Sequence, residues 1–151
     1  MTDTLDVIVL DDDANVCDHV TNVIKDFYAW GQVYSFTDVD KAIGYCLSRE
    51  VGAAIFVVDV YLSGKNAFSF LDAIADKYPM AFEDCIIITG WASEDVVNTC
   101  IASDINYLLE KPIRSYALQL AVRAIGAKYM RFAKKLYMNP ELMKSVAKFS
   151  T

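Results

Sequence analysis

The chain has 151 residues, 55% of them hydrophobic and 23% charged, with a net charge of −6. That is enough apolar material for one domain with a sizeable core, and too much for a disordered chain. No apolar run approaches the ~20 residues of a membrane span. The acidic start "MTDTLD" lacks a basic-then-apolar signal, so the cytoplasm is the expected compartment.

The elements alternate along the chain. Val7 to Leu10 reads as a buried strand, and Val16 to Tyr28 as a helix with Val16, Val20, Val23, Ile24 and Phe27 on one face. "GQVYSF" is a second strand, and Asp38 to Arg49 a helix with Val39, Ala42, Ile43 and Leu47 inward. "AAIFVVD" is a third strand. Phe68 to Tyr78 is helical and stops before Pro79. "CIIITG" is a fourth strand, Ser93 to Ser103 a helix opened by Ser-Glu-Asp, and "NYLLE" a fifth strand. Ser115 opens a long last helix to about Tyr137. Continuous apolar strands alternating with helices define an α/β domain with a parallel sheet covered on both faces.

Ligands in such sheets bind at the carboxyl ends of the strands. Asp11 and Asp12 follow strand one, Asp59 follows strand three, Thr89 ends strand four and Lys111 follows strand five. Polar groups from four strand ends thus meet on one edge. Asp11, Asp12 and Asp13 in a row repel one another, which suits either a solvated turn that caps the next helix or a cation site. Of the three, Asp13 suits the helix cap. Clustered carboxylates suit Mg²⁺, a hard ion that keeps several waters. Cys17, Cys46, Cys85 and Cys100 are scattered without a CxxC pair, three of them in apolar segments that favour buried thiols. His19 is the only histidine, leaving almost no material for zinc sites or His-based triads.

The motifs "VLDDD", "VVDVYL", "IIITGWAS" and "LEKPI", in that order and spacing, resemble those of response-regulator receiver domains, the phospho-acceptor modules of two-component signalling. The resemblance covers about residues 5 to 128. It implies a doubly wound five-stranded parallel sheet, flavodoxin-like, of order 2-1-3-4-5, with the remainder an extended C-terminal helical tail. The expected division is a receiver domain over 1–128 and a helical extension over 129–151. By the same resemblance Asp59 is the phosphoacceptor. Asp12 is a direct ligand of Mg²⁺ (or Mn²⁺), with Asp11 orienting a metal-bound water and the Tyr61 carbonyl completing the set. Thr89 and Lys111 contact the phosphoryl group, and the Lys111–Pro112 bond is expected to be cis. The implied partner is a histidine kinase or phosphotransfer protein. The implied catalysis is limited to the domain's own phosphorylation and dephosphorylation.

The chain also departs from that pattern. Ser63 stands where the family often has proline, and Asn66 and Ala67 stand where it often has an acidic or small residue and then glycine, so the loop after strand three is expected to differ in shape. The family's aromatic switch position is Leu108. Tyr107, one place earlier, is expected on the opposite face unless an irregularity of the strand re-aims it. Tyr61 and Trp91, each two residues beyond a site residue, are placed to flank the approach of water.

Two other readings compete with this one. A haloacid-dehalogenase-type phosphatase uses DxDx[TV]; Asp11 and Asp13 fit its first half, but Asn15 breaks the second. No aspartate follows Asp104 to supply its later metal ligand. A receiver-like interaction module without phosphorylation would not need Asp12, Asp59, Thr89 and Lys111. The phosphate loops GxxxxGK[ST] and GxGxxG are absent.

Charge is unevenly spread. Residues 1–110 carry a net −14 and residues 111–151 a net +8. Leu118, Val122, Ile125, Tyr129, Phe132 and Leu136 form one stripe on the last helix, of which only the first half is expected to rest on the sheet. Tyr129, Phe132 and Leu136, flanked by Lys128, Arg131, Lys134 and Lys135, are expected to need another partner. "NPEL" suggests a further short helix through Leu142, Val146 and Phe149. The tail can fold back on its own domain, pair with a second copy or dock on an acidic partner; the favoured expectation is a homodimer through the last helix and tail, its strength shifted by phosphorylation at Asp59. Direct nucleic-acid binding is not expected, because the acidic body repels phosphates.

Overall fold

A computed structural model describes residues 4–141 and 144. Five parallel strands form one sheet in the order β2-β1-β3-β6-β7. They are β1 (Val7–Leu10), β2 (Val33–Phe36), β3 (Ile55–Asp59), β6 (Cys85–Thr89) and β7 (Tyr107–Glu110). This is the expected topology. The numbering skips because a short antiparallel hairpin, β4 (Tyr61–Leu62) and β5 (Lys65–Asn66), follows β3. Gly64 turns it with φ of 72°. The loop after β3 therefore takes the form of a hairpin.

Alternate strand residues feed two separate cores. Ile8, Leu10, Phe56, Val58, Cys85 and Ile87 face α2 (Val39–Ser48), α3 (Ala67–Ile74) and α4 (Glu94–Ala102). Val7, Val9, Ile55, Val57, Ile86 and Ile88 face α1 (Ala14–Lys25) and α5 (Ser115–Met138). The three central strands are therefore buried throughout. All four cysteines are buried and free.

Local chemistry sets the helix starts. Asp13 caps α1, accepting from the Asn15 N–H at 2.9 Å, so the helix begins two residues earlier than expected. Asn66 and Ser69 form a capping box on α3. That helix ends at Ile74 rather than Tyr78. Pro79 disfavours helical geometry at Tyr78, whose hydroxyl donates to the Cys46 carbonyl at 2.6 Å and accepts from Arg49.

The last helix is the largest correction to the expectation. Leu118, Val122 and Ile125 are buried as expected. Tyr129, however, needs no outside partner. It packs on the second core, and its hydroxyl donates to Asp84, which Lys128 also bonds. Asp84 is 1% exposed, just before β6, so the pair fastens the middle of α5 to the foot of the sheet. Beyond it, Phe132 and Tyr137 are exposed. Position 128, the expected domain boundary, falls inside this continuous helix. Pro140, Glu141 and Lys144 are helical; Leu142, Val146 and Phe149 lie outside the described residues. No helix among the described residues is long and apolar enough to cross a membrane.

Candidate functional site

The ends of β1, β3 and β7 bring four side chains together. Asp11, fully buried, accepts the Asp13 N–H on Oδ1 at 2.9 Å. Its Oδ2 lies 2.9 Å from the Lys111 ammonium. The same ammonium lies 3.3 Å from Oδ2 of Asp59, which is 6% exposed. Asp12 is exposed, yet carboxylate oxygens of Asp11, Asp12 and Asp59 all lie within 4.8 Å of one another. The Lys111–Pro112 bond is cis, as expected.

This charge arrangement is unbalanced. Burial raises the Asp59 carboxyl above its ordinary range; the Asp11 charge adds to that, and Lys111 opposes it. Burial works against the Lys111 ammonium, but its bond to Asp11 and the charges of Asp11 and Asp59 outweigh burial and raise its pKa. Three carboxylates share one cation. The donor set is all hard oxygen, with one member open to solvent, and so it fits Mg²⁺ or Mn²⁺.

Thr89 ends β6 as expected and is fully buried, but its hydroxyl is engaged elsewhere. It donates to the Trp91 carbonyl at 3.1 Å and receives the Trp91 N–H at 3.2 Å. Trp91 and Tyr61 are 71% and 58% exposed. Leu108 packs with the α2–α4 core and Tyr107 with the α1–α5 core. The β6–β7 register is regular, Ile86 opposite Tyr107 and Ile87 opposite Leu108, so nothing re-aims Tyr107.

Three contacts were not anticipated from the sequence. The Ser63 hydroxyl donates to Oδ2 of Asp12 at 3.2 Å. Ser63 stood out only as a departure from the family pattern, and its reach to Asp12 depends on the β4–β5 turn. Glu110 accepts the Ala92 N–H at 3.1 Å, tying the loop after β6 to the end of β7. Its position just before Lys111 was the one available signal. The Cys17 thiol donates to the Asp11 carbonyl at 3.2 Å beneath the site.

The profile of the response regulator receiver domain family matches residues 7–146. The chain belongs to that family, and is in general terms a phosphoryl-accepting signalling domain. Among solved structures it is similar to the chemotaxis protein CheY4 of Vibrio cholerae, with 17% identity and a TM-score of 0.70, covering 82% of this chain and 99% of that one. It is similar also to a CheY-like receiver domain protein of Methanospirillum hungatei JF-1 (14%, TM-score 0.71, 85% and 99% covered). A third is the beryllofluoride-activated NtrC4 receiver domain dimer (20%, TM-score 0.70, 82% and 98% covered). At these identities the likeness is one of fold. No curated protein gives a significant match.

Proposed function

We propose that Asp59 accepts a phosphoryl group from a histidine kinase or phosphotransfer protein in a Mg²⁺-dependent step, and that the domain signals by the resulting change in shape. The observation that carries this is the junction of Asp11, Asp12 and Asp59 within 4.8 Å, with Lys111 reaching two of them. Asp12 and Asp59, with the Tyr61 carbonyl, would hold the cation, and Asp11 would orient a water bound to it. When bound, Mg²⁺ neutralises charge on the incoming phosphoryl group and on the carboxylates around it.

The chain's own groups supply the rest. The Asp59 carboxylate is the nucleophile. Lys111 is already seated between Asp11 and Asp59, and is placed to pair with the transferred group as a point charge. The Thr89 hydroxyl must leave the Trp91 carbonyl to donate to that group, which frees the loop carrying Trp91. With Leu108 at the switch position and Tyr107 on the far face, that loop rather than an aromatic rotamer carries the change. Catalysis is confined to the domain's own acyl phosphate, in a cytoplasmic setting. Beryllofluoride, a phosphoryl mimic, should bind the protein in the presence of Mg²⁺, giving a protein-bound ¹⁹F signal that Asp59→Asn lacks. No bound signal in the parent, or an equal one in the variant, would reject the reading.

The exposed rings at Tyr61 and Trp91 lead to a prediction about lifetime. Bulky groups beside an acyl phosphate exclude hydrolytic water. Trp91→Ala and Tyr61→Ala should each lose phosphate several-fold faster than the parent, followed by the decay of labelled protein after donor removal. Equal decay would assign both rings another role.

A further inference from the structure

The charge asymmetry of the chain has a spatial form. In a parallel α/β sheet, strand starts and helix ends share the edge opposite the site, here called the base. Asp26, Glu50, Asp76, Glu83 and Asp104 lie at that edge and outnumber Lys25, Lys77 and the Arg123 of α5. The carboxyl ends of α1 to α4 add partial negative charge there. From the same edge projects the end of α5, residues 130–138, about 13 Å of helix at 1.5 Å per residue.

This arm is amphipathic. Phe132 and Leu136 continue, at steps of three and four, the stripe of Val122, Ile125 and Tyr129 that packs on the sheet. The sheet has ended by then, and Phe132 is 48% exposed, Met130 50%, Met138 72% and Tyr137 84%. Arg131, Lys134 and Lys135, with Met138 among them, form the other face, and among the described residues none of the three cations lies in an ion pair. The base itself offers a groove of about 400 Å³ lined by Phe27, Tyr28, Ala29, Trp30, Arg123 and Ala127. Asp26 adjoins it in the chain. Glu83 lies close enough for its charge to act on the Tyr129 hydroxyl.

We propose that two copies associate base to base, the arm of each lying antiparallel against α5 of the other. The arm's exposed rings enter the Phe27–Trp30 groove, and Arg131, Lys134 and Lys135 face the acidic base. A two-fold axis makes the surface self-complementary and doubles every contact. The arm cannot reach the groove beside its own α5 without bending back, and the helix is continuous to Met138. A second copy offers the acidic base and the apolar groove together, which suits both faces of the arm. Opposite charge steers the encounter, so association weakens as salt rises. The proposal is independent of phosphorylation.

Charge exchange tests it. The triple variant R131E/K134E/K135E reverses the arm, and D26K/E83K reverses the base near α5; all five sites are exposed or half-buried, and circular dichroism would confirm that each variant folds. The parent should sediment as a dimer at high micromolar concentration in low salt. Each variant alone should be monomeric, its dimer weakened by about a hundredfold or more from like charges brought together. Mixed, the two should form a heterodimer, since each arm then meets a base of opposite sign. A monomeric parent, a dimer that survives arm reversal, or a mixture that stays monomeric would each overturn the proposal. A monomeric parent that binds anionic phosphatidylglycerol vesicles would instead make a lipid surface the arm's occupant.

Discussion

Replacing Arg49 by methionine should destabilise the fold by about 3–5 kcal/mol, because it leaves a buried carboxylate without its cation. Arg49 and Asp6 are 4% and 2% exposed, and the guanidinium lies 3.1 Å from Oδ2 of Asp6. Arg49 also donates to the Tyr78 hydroxyl at 3.0 Å and to the carbonyls of Thr4, Val51 and Ala53 at 3.2, 3.3 and 3.2 Å. One side chain thus joins the start of β1, the end of α2 and the segment after α3. Removing it orphans Asp6, which otherwise accepts from the Gln32 N–H at 2.8 Å and the Thr4 hydroxyl at 3.0 Å. In a chain of this size the melting temperature should fall by roughly 10 °C. The double variant Asp6→Asn with Arg49→Met should recover part of the loss, since a neutral amide is far cheaper to bury. Calorimetry on the two variants decides it: a change under 1 kcal/mol for Arg49→Met would show that water reaches Asp6.

Asp12→Asn should act at the other end of the sheet chiefly on metal affinity, and its small effect on stability should have the opposite sign. The free protein should gain a few tenths of a kcal/mol as repulsion from Asp11 and Asp59 is relieved. Its affinity for Mg²⁺ should fall by at least the ~10–100-fold that even outer partners of metal ligands are worth. Mg²⁺ should correspondingly raise the melting temperature of the parent and leave Asp12→Asn almost unmoved. A variant stabilised by Mg²⁺ as strongly as the parent would place the ion elsewhere.

The sheet and the four converging side chains were legible because they follow from local signals. Apolar runs such as Ile55 to Val58 are buried on both faces, and a parallel sheet puts every strand's carboxyl end on one edge. Asp11, Asp12, Asp59 and Lys111 therefore meet whatever the fine geometry. Contacts that join distant segments across a turn or cap were not legible. The Ser63–Asp12 bond depends on the hairpin at Gly64, and the Glu110–Ala92 bond on how the loop after β6 lies. Asp84 with Lys128 and Tyr129 shows the same limit. The stripe on α5 was visible, but where the sheet stops supporting it depends on a buried acid 44 residues away. The thiol of Cys17, pushed up to about 11 mainly by burial, is another case: the sequence showed a cysteine outside any CxxC pair, not a donor beneath Asp11.

The central claim is phosphorylation at Asp59. It is tested most directly by intact-mass measurement after incubation with acetyl phosphate, with and without Mg²⁺. The account predicts the mass gain of one phosphoryl group in the parent, dependent on Mg²⁺ and absent in Asp59→Asn. An unchanged mass in the parent, or an equal gain in the variant, would contradict it.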